Sequence, residues 1–375
     1  MVSSNANALG VIFANSYDNL VPELVAERTM ASIPFAGRYR MIDFVLSNMA
    51  NSGVDNVSII VRKNYHSLMD HLGSGREWDL TRKRGGLNII PPFAERSVKL
   101  YSGRVDALAS VLSWLMAQKE RYVILSDSHI AMNFNFNKLI ARHIESGADV
   151  TMVYNRAEIP DGARNDNYTI RIDASGRVTE LLSNDYRPGV QNLSMNLYII
   201  ERESLIQLVR DAAVRGLVYF ERDILARNLS LLNVQAYEYT GYAARIADMK
   251  SYFDENMRLL QPGHVEQLFD AANPIYTKIR DDNPTRYLEG SKVKNCLVAD
   301  GCVIEGVVEN SVLFRGCTIK KGAVVRNSVL MQDTIVEENC SVEYVVTDKN
   351  VHITTGKQLC GTDSFPVFVA KNHTV

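Results

Sequence analysis

The sequence predicts an α/β domain built on a mostly parallel, Rossmann-like sheet, followed by a parallel β-helix. Over residues 8–258, short β-rich runs alternate with segments whose apolar residues recur every three or four positions, as in a sheet covered by helices. After about residue 290, small apolar clusters instead recur every five to seven residues, which is typical of stacked β-helix coils.

The α/β segment contains four strand-like runs separated by helical patterns. The runs are LGVIFA (9–14), VSIIV (57–61), YVILS (122–126) and VTMVY (150–154). Apolar periodicity predicts helices over Met41–Asn51, Asp106–Gln118 and Phe136–Ser146. Because ligands of open parallel sheets bind beyond the carboxyl ends of the strands, we expect functional residues just after these runs.

The β-helix repeats begin after a charged segment that contains proline. NPIYTKIRDDNPTRYLEG (273–290) has two prolines, and we interpret it as part of a linker. Seven apolar clusters follow between Cys302 and Val336, and Gly, Asn or Asp separates many of them. We therefore expect a first domain over residues 1–258, a linker over 259–292 and a β-helix over 293–375.

Composition and charge exclude several classes of function. The chain has a formal net charge of −2 with no long run of one sign, so nothing indicates a nucleic-acid partner. It has no run of about 18 apolar residues and no recognisable secretory leader, so we expect a cytoplasmic protein without a membrane partner. The five cysteines include no CxxC and no metal-ligand spacing occurs, so we expect no zinc site.

Several strings resemble those of ADP-glucose pyrophosphorylases, the glucose-1-phosphate adenylyltransferases. IPFAGRYRMIDFVLSN (33–48) is similar to the family string PFGGKYRIIDFPLSN, and YSGRVDAL (101–108) is similar to YRGTADAV. VILSDSHI (123–130) resembles VLILSGDHIY, and GYAARIADMKSYFDENM (241–257) resembles GYWRDVGTLDAYWEANM. The resemblance runs in order from about residue 8 to 360. It implies a GT-A-like nucleotidyltransferase domain and a β-helix that is left-handed.

The family makes ADP-glucose and pyrophosphate from glucose 1-phosphate and ATP, which requires cations on the phosphates and carboxylates around a divalent metal. This sequence departs from that pattern at matched positions. NSYDNLVPEL (15–24) replaces a glycine-rich phosphate loop, and its Asp18 would repel phosphate. Met30 stands at a lysine of RAKPAVPF, Ser128 at the aspartate of GDH, Tyr219 at the first aspartate of DFGKDLIP and Asn184 at the lysine of FVEKP. The resemblance therefore implies a degenerate site with no metal and no other cofactor.

An intact scaffold with such a site resembles the non-catalytic subunits of this family. The resemblance implies a regulatory or structural role in glycogen biosynthesis, in a hetero-oligomer (a tetramer) with a homologous catalytic pyrophosphorylase subunit. It also implies a phosphorylated effector, for which the candidate ligands are Arg28, Arg40 and Arg315. Candidates that line the degenerate site, where a sugar phosphate or nucleotide would bind, are Arg62, Lys63, Arg104, Asp127 and His129. Arg104 stands at the threonine of YRGTADAV, where it would either fill the site or contact a phosphate.

Three other interpretations stay open. Asp106 and Asp127 would hold Mg²⁺ if the chain were an active adenylyltransferase with a rebuilt metal site. A chain without a catalytic partner would be a stand-alone sensor of a sugar phosphate or nucleotide. A hexapeptide-repeat acyltransferase needs a catalytic histidine in a loop between coils, and His352 lies in the repeats. The α/β domain would then have no purpose.

Overall fold

The computed structural model describes residues 7–92, 101–159, 167–185 and 187–375. The chain forms two compact units, and each is discontinuous in sequence. The first unit comprises the residues up to Ser16 together with Val45–Gly241, and the second comprises Tyr17–Phe44 together with Tyr242–Val375. Within the described ranges, no helix is both long enough and apolar enough to cross a membrane.

The first unit is built on a mixed sheet that has nine strands in the described residues. Its parallel half runs in the order Tyr122–Asp127, Ala8–Phe13, Asn56–Ile60 and Gly86–Ile90. Gly189–Glu201 lies antiparallel beside Tyr122–Asp127 and continues the sheet to Tyr168–Ile172, Val178–Ser183, Val150–Ile159 and Val234–Glu238. A short strand, Ile130–Met132, follows Asp127. All four predicted strand runs lie in the nine-stranded sheet, which confirms the α/β prediction.

The helices begin and end where local sequence favours it. In Phe136–Ser146, the Asn135 side chain accepts a hydrogen bond from the Asn137 N–H (2.9 Å), and Gly147 ends the helix with a positive φ. The predicted helix Asp106–Gln118 is in fact two helices, Arg104–Ser110 and Leu112–Ala117, because the backbone leaves helical geometry at Val111. The other helices and turns described up to Gly241 are Met41–Asn51, His66–Leu72 and Arg202–Val214, the 3-10 turns Arg76–Trp78 and Ala226–Asn228, and the π-helical turn Phe220–Leu225.

The second unit groups an early segment of the chain with its C-terminal part. The Ala36 N–H donates a hydrogen bond to Asn256 Oδ1 (3.1 Å), and the Tyr252 hydroxyl donates to the Pro34 carbonyl (2.8 Å). Both acceptor and donor side chains belong to the helix Met249–Arg258. This grouping differs from the expected division at residue 258, because these long-range hydrogen bonds attach residues 17–44 to the C-terminal half.

The expected linker, residues 259–292, is packed. It contains the helix His264–Leu268, and the Phe269 ring lies 4.8 Å from the Tyr39 ring. Its strand Arg286–Tyr287 pairs in parallel with Val303–Ile304, so the first β-helix coil starts before residue 293. The unit's other elements outside the β-helix are the strands Pro34–Phe35, Tyr39–Arg40 and Ala243–Arg245, the helix Pro22–Val25, and the 3-10 turns Asp18–Leu20 and Met30–Ser32.

The rest of the second unit is a parallel β-helix. In the part of the chain that the structure describes, its strands form three parallel sheets of five strands each. One fully buried column of its core consists of Ile304, Ile319, Val336 and Ile353, which come from successive coils. The strands are Arg286–Tyr287, Lys292–Lys294, Leu297–Val298, Val303–Ile304, Val307–Glu309, Val312–Leu313, Thr318–Ile319, Val324–Arg326, Val329–Leu330, Ile335–Val336, Ser341–Glu343, Val345–Thr347, His352–Ile353, Gln358–Cys360 and Val367–Val369.

The corners between these strands need left-handed backbone. Asn295, Asn310, Asn327 and Tyr344 occupy equivalent corners with φ between 44° and 51°. Asparagine tolerates this conformation better than most residues do, because its short polar side chain bonds locally. The Asn295 amide also donates to Asn310 Oδ1 (2.9 Å), which links two successive corners. The polar residues between the apolar clusters of the sequence are therefore corner residues, and the predicted β-helix is confirmed.

Substitution of two adjacent valines tests which face of a β-helix strand packs into the core. Val325 is fully buried, whereas Val324 on the other face of the same strand is half-buried. Val325→Ala should lower the free energy of unfolding by about 2 kcal/mol, because it removes buried methyl groups and leaves a cavity. Val324→Ala is the matched control and should cost clearly less. Urea unfolding measures both, and equal losses would contradict the assigned orientation.

Candidate functional site

A buried charged cluster lies at the carboxyl edge of the parallel strands in the first unit. Strand Tyr122–Asp127 ends in Asp127, the helix Arg104–Ser110 begins with Arg104, and the π-helical turn carries Glu221. One terminal nitrogen of Arg104 lies 2.5 Å from Asp127 Oδ2, and the other contacts Glu221 Oε1. The side chains of Arg104, Asp127 and Glu221 are 9%, 1% and 6% exposed, so one buried cation faces two buried carboxylates.

Backbone contacts hold the helix start and the turn together. The Val105 N–H donates a hydrogen bond to the Val218 carbonyl (3.0 Å). A Cβ on Gly103 would lie 2.4 Å from that carbonyl oxygen, so only glycine permits this approach. Asp223 Oδ2 accepts hydrogen bonds from the N–H groups of Val218 (3.2 Å) and Tyr219 (3.0 Å). These contacts position Glu221 opposite Arg104.

Aromatic rings form part of the wall around the guanidinium. Its carbon lies 4.9 Å from the centre of the Phe13 ring and 5.6 Å from that of Tyr198, distances at which a cation is attracted to an aromatic face. Burial raises the pKa of the Tyr198 hydroxyl, so that side chain stays neutral. Burial also raises the pKa of the Asp127 carboxyl, and the charge of Arg104 acts in the opposite direction. The charge of Arg104 thus favours the charged form of the Asp127 carboxyl against the effect of burial.

The structure brings together two of the five predicted lining residues, Arg104 and Asp127. His129 is buried two residues beyond Asp127. The Arg62 N–H donates to Asn15 Oδ1 (2.7 Å), while Lys63 is exposed and its carbonyl accepts from the Asn15 amide (3.0 Å). These two hydrogen bonds of the Asn15 side chain with backbone groups connect the loops after two neighbouring strands.

Sequence reasoning missed Glu221, although a signal for it was present. When YFERDILA (219–226) is matched with DFGKDLIP, Glu221 stands at the glycine. In the match of VILSDSHI with VLILSGDHIY, Asp127 likewise stands at a glycine, and Arg104 stands at a threonine. All three members of the charged cluster therefore take positions where the family strings have a small residue.

The other degenerate positions lie in different surroundings. Met30 is fully buried, and its N–H donates a hydrogen bond to Asp18 Oδ1 (2.8 Å). Asp18 is thus a buried acceptor for the backbone of its own loop. Ser128 is fully buried, Asn184 is exposed, and Tyr219 is 40% exposed with the Arg222 guanidinium 4.2 Å above its ring.

The residues present do not fit a catalytic magnesium. Among the described residues, no group of three or more His, Cys, Asp and Glu side chains could hold a metal ion. Asp106, one of the two ligands of the rebuilt-site alternative, accepts a hydrogen bond from the Ser102 N–H (3.2 Å) at the start of its helix. Asp127, the other ligand of that alternative, is bound to Arg104.

A second charged cluster lies in the second unit. The Arg28 guanidinium binds both carboxylate oxygens of Asp348, at 2.7 and 2.8 Å, and both side chains are buried. Lys349 follows, and burial together with the charges of Arg40 and Arg28 lowers the pKa of its ammonium to about 7. Of the predicted effector ligands, Arg28 and Arg40 therefore lie near one another, with Lys349 as a cation that the sequence did not indicate.

Arg315, the third predicted effector ligand, has other partners. Its side chain is 8% exposed, and its Nε lies 3.6 Å from Asp282 and 3.9 Å from Asp300. Burial lowers the pKa of the Arg315 guanidinium, and neighbouring Arg38 acts in the same direction. Arg38 itself lies 3.7 Å from Asp300. Arg315 is thus part of a separate arginine–aspartate cluster.

Comparison with known proteins agrees with this architecture. Residues 21–259 match the family model described as Nucleotidyl transferase, and residues 279–365 match that of the GlmU-like, C-terminal hexapeptide, in agreement with the expected left-handed β-helix. The chain is 36% identical over 368 residues to glycogen biosynthesis protein GlgD of Bacillus subtilis (strain 168), covering 98% of this chain and 96% of the relative. It is 39% identical over 326 residues to GlgD of Geobacillus stearothermophilus, covering 86% and 83%. It is 31% identical over 362 residues to glucose-1-phosphate adenylyltransferase of Bacillus anthracis, covering 95% of each.

The Arg28–Asp348 pair should be a major source of stability. Arg28→Met leaves the buried Asp348 carboxylate without its partner and should cost about 3–5 kcal/mol in the free energy of unfolding. Lys371→Met is the control, because it breaks an ion pair with Glu27, a residue whose side chain is 60% exposed, and should cost under about 1 kcal/mol. Urea unfolding compares them, and similar small losses would show that the buried pair is dispensable.

Proposed function

We propose a non-catalytic role in glycogen synthesis for this chain, which belongs to the nucleotidyl transferase family that includes the glucose-1-phosphate adenylyltransferases and the GlgD proteins. Its likeness to GlgD and to glucose-1-phosphate adenylyltransferase over most of its length supports the pathway. In this proposal the chain works in a hetero-oligomer beside a homologous catalytic subunit, whose rate or regulation it changes.

The observation that carries the proposal is the position of Arg104 between Asp127 and Glu221. Nucleotidyl transfer needs carboxylates that are free to hold a divalent metal, and cations that neutralise the phosphates. In this chain the guanidinium already pairs with both buried carboxylates, and Met30 provides no charge where the family has a lysine. Loss of a metal's charge stabilisation removes several kcal/mol, which corresponds to several powers of ten in rate.

We also propose that the cluster of Arg28, Arg40 and Lys349 attracts a phosphorylated effector. Arg28 binds the Asp348 carboxylate, and burial together with the nearby charges of Arg40 and Arg28 lowers the pKa of Lys349. An anion bound there would stabilise the charged form of Lys349. Arg28 would act mainly by holding Asp348, while Arg40 and Lys349 would contact the ligand. Arg315, which is enclosed by Asp282 and Asp300, contributes less in this proposal.

The catalytic part of the proposal is tested with the purified chain. Alone, with saturating Mg²⁺, ATP and glucose 1-phosphate, it should form ADP-glucose at least about a thousandfold more slowly than a catalytic homologue. Mixed with the homologous catalytic subunit of the same host, it should co-elute in size-exclusion chromatography and change that subunit's rate or effector response. An equal amount of an unrelated protein is the control. Ordinary turnover by the chain alone that Asp127→Asn abolishes would establish the rebuilt-site alternative instead.

The effector cluster is tested with sulfate, whose charge does not change between pH 6 and 8. Because the pKa of Lys349 is about 7, its ammonium is charged at pH 6 and mostly neutral at pH 8, so sulfate should raise the melting temperature more at pH 6. Lys349→Met should remove this pH dependence. Lys357→Met, the same change at an exposed lysine of the β-helix, is the control and should keep it. A sulfate response that Lys349→Met leaves intact would place the anion elsewhere.

A further inference from the structure

Asp127 and Glu221 already hold a cation, although it belongs to the protein. The two carboxylates contact opposite terminal nitrogens of the same guanidinium, and each side chain is more than nine-tenths buried. Arginine keeps its proton throughout the accessible pH range, so this cation is permanent. We propose that the two carboxylates form a cation site that the chain fills with Arg104, and that a divalent metal ion binds there when the guanidinium is removed.

The charges of Asp127 and Glu221 explain why another cation would have to replace the guanidinium. Without Arg104, two carboxylates would face each other in a buried pocket, where an uncompensated charge costs several kcal/mol. Only a proton or another cation could compensate them. The two carboxylates contact the two terminal nitrogens of one guanidinium, so both already face a single cation. Oxygen ligands of this kind favour Mg²⁺ and Mn²⁺.

A second observation indicates that the guanidinium does not form a hydrogen bond with every carboxylate oxygen of the site. Asp127 Oδ1 is buried and accepts no hydrogen bond from Arg104, which lies 2.5 Å from Oδ2 of the same carboxylate; the Ser16 side chain also interacts with this carboxylate. A planar guanidinium presents its donors in one plane, so it cannot reach every carboxylate oxygen around it. A metal ion has no such restriction and could take Oδ1 as a ligand.

This inference rests on the proposed function, because it gives a physical reason for the absent metal chemistry. It goes further because it assigns the charge-compensating role of a metal ion to the Arg104 side chain. The aromatic contacts of Phe13 and Tyr198 with the guanidinium add attraction that a hydrated metal ion would lack. In the native chain Arg104 should therefore exclude divalent ions even at high concentration.

The test measures Mn²⁺ binding by Arg104→Ala. Electron paramagnetic resonance reports the concentration of free Mn²⁺, and the melting temperature reports whether the bound ion stabilises the variant. The variant should bind one Mn²⁺ per chain and gain a saturable rise in melting temperature, and the wild type should do neither. The matched control is Arg104→Ala combined with Asp127→Asn, which has the same cavity with one carboxylate fewer. It should bind Mn²⁺ more weakly by on the order of tenfold or more.

A variant that folds only with the metal would also be informative. If Arg104→Ala is unfolded in EDTA, refolding by Mn²⁺ but not by an equal concentration of NaCl would support the site. If Mn²⁺ does not refold it, Arg104→Met, which fills the apolar volume of the arginine stem, provides the folded variant for the same binding measurement.

Absence of Mn²⁺ binding by folded Arg104→Ala or Arg104→Met would overturn the inference, because the carboxylates would then be neutralised by protons. These measurements do not use activity, so a negative result leaves the companion-subunit assays of the wild type unaffected. Conversely, an active wild-type chain would overturn the proposed function whatever the variants bind.

Discussion

Burial of an arginine requires counter-charges, and this requirement organises the carboxyl edge of the sheet in the first unit. A guanidinium does not escape the cost of burial by losing its proton, so carboxylates must come to it. Arg104 receives them from a strand end, Asp127, and from a π-helical turn, Glu221. The glycine at 103 lets the helix start approach Val218 closely enough for this arrangement. The edge where open parallel sheets bind their ligands is here occupied by the chain's own ion pairs.

The second unit also contains a buried arginine that is paired with a carboxylate. Arg28 is buried against the carboxylate of Asp348, and the positive charges of Lys349 and Arg40 lie nearby. The two carboxylates around Arg104 disfavour anions, whereas the positive charges of Arg28 and Arg40 near Lys349 favour them. The two clusters thus have different chemical capacities, although each contains a buried arginine. This contrast supports the proposed function, in which phosphate chemistry is absent at the first cluster and an anionic effector binds at the second.

The sequence predicted the elements well where the signal was local. The four strand runs, the helix Phe136–Ser146 and the β-helix follow from apolar periodicity, capping residues and the polar corners. Elsewhere, packing changed the local pattern. The expected helix Asp106–Gln118 breaks at Val111, and the expected linker contributes a helix and a β-helix strand. Periodicity cannot show that residues 17–44 pack with the C-terminal half, because that grouping depends on hydrogen bonds such as the one from Ala36 to Asn256.

The sequence by itself determined the fold class, the family, and the absence of the family's charged residues at positions such as Met30 and Ser128. Those conclusions depend on residue identity and spacing, which are readable along the chain. Only the tertiary structure decided which charges meet. Arg28 and Asp348 lie 320 positions apart, and the match of Glu221 with a family glycine did not show that this side chain contacts Arg104. The strength of an ion pair depends on distance and burial, and both are set by the packing of distant segments rather than by any local pattern.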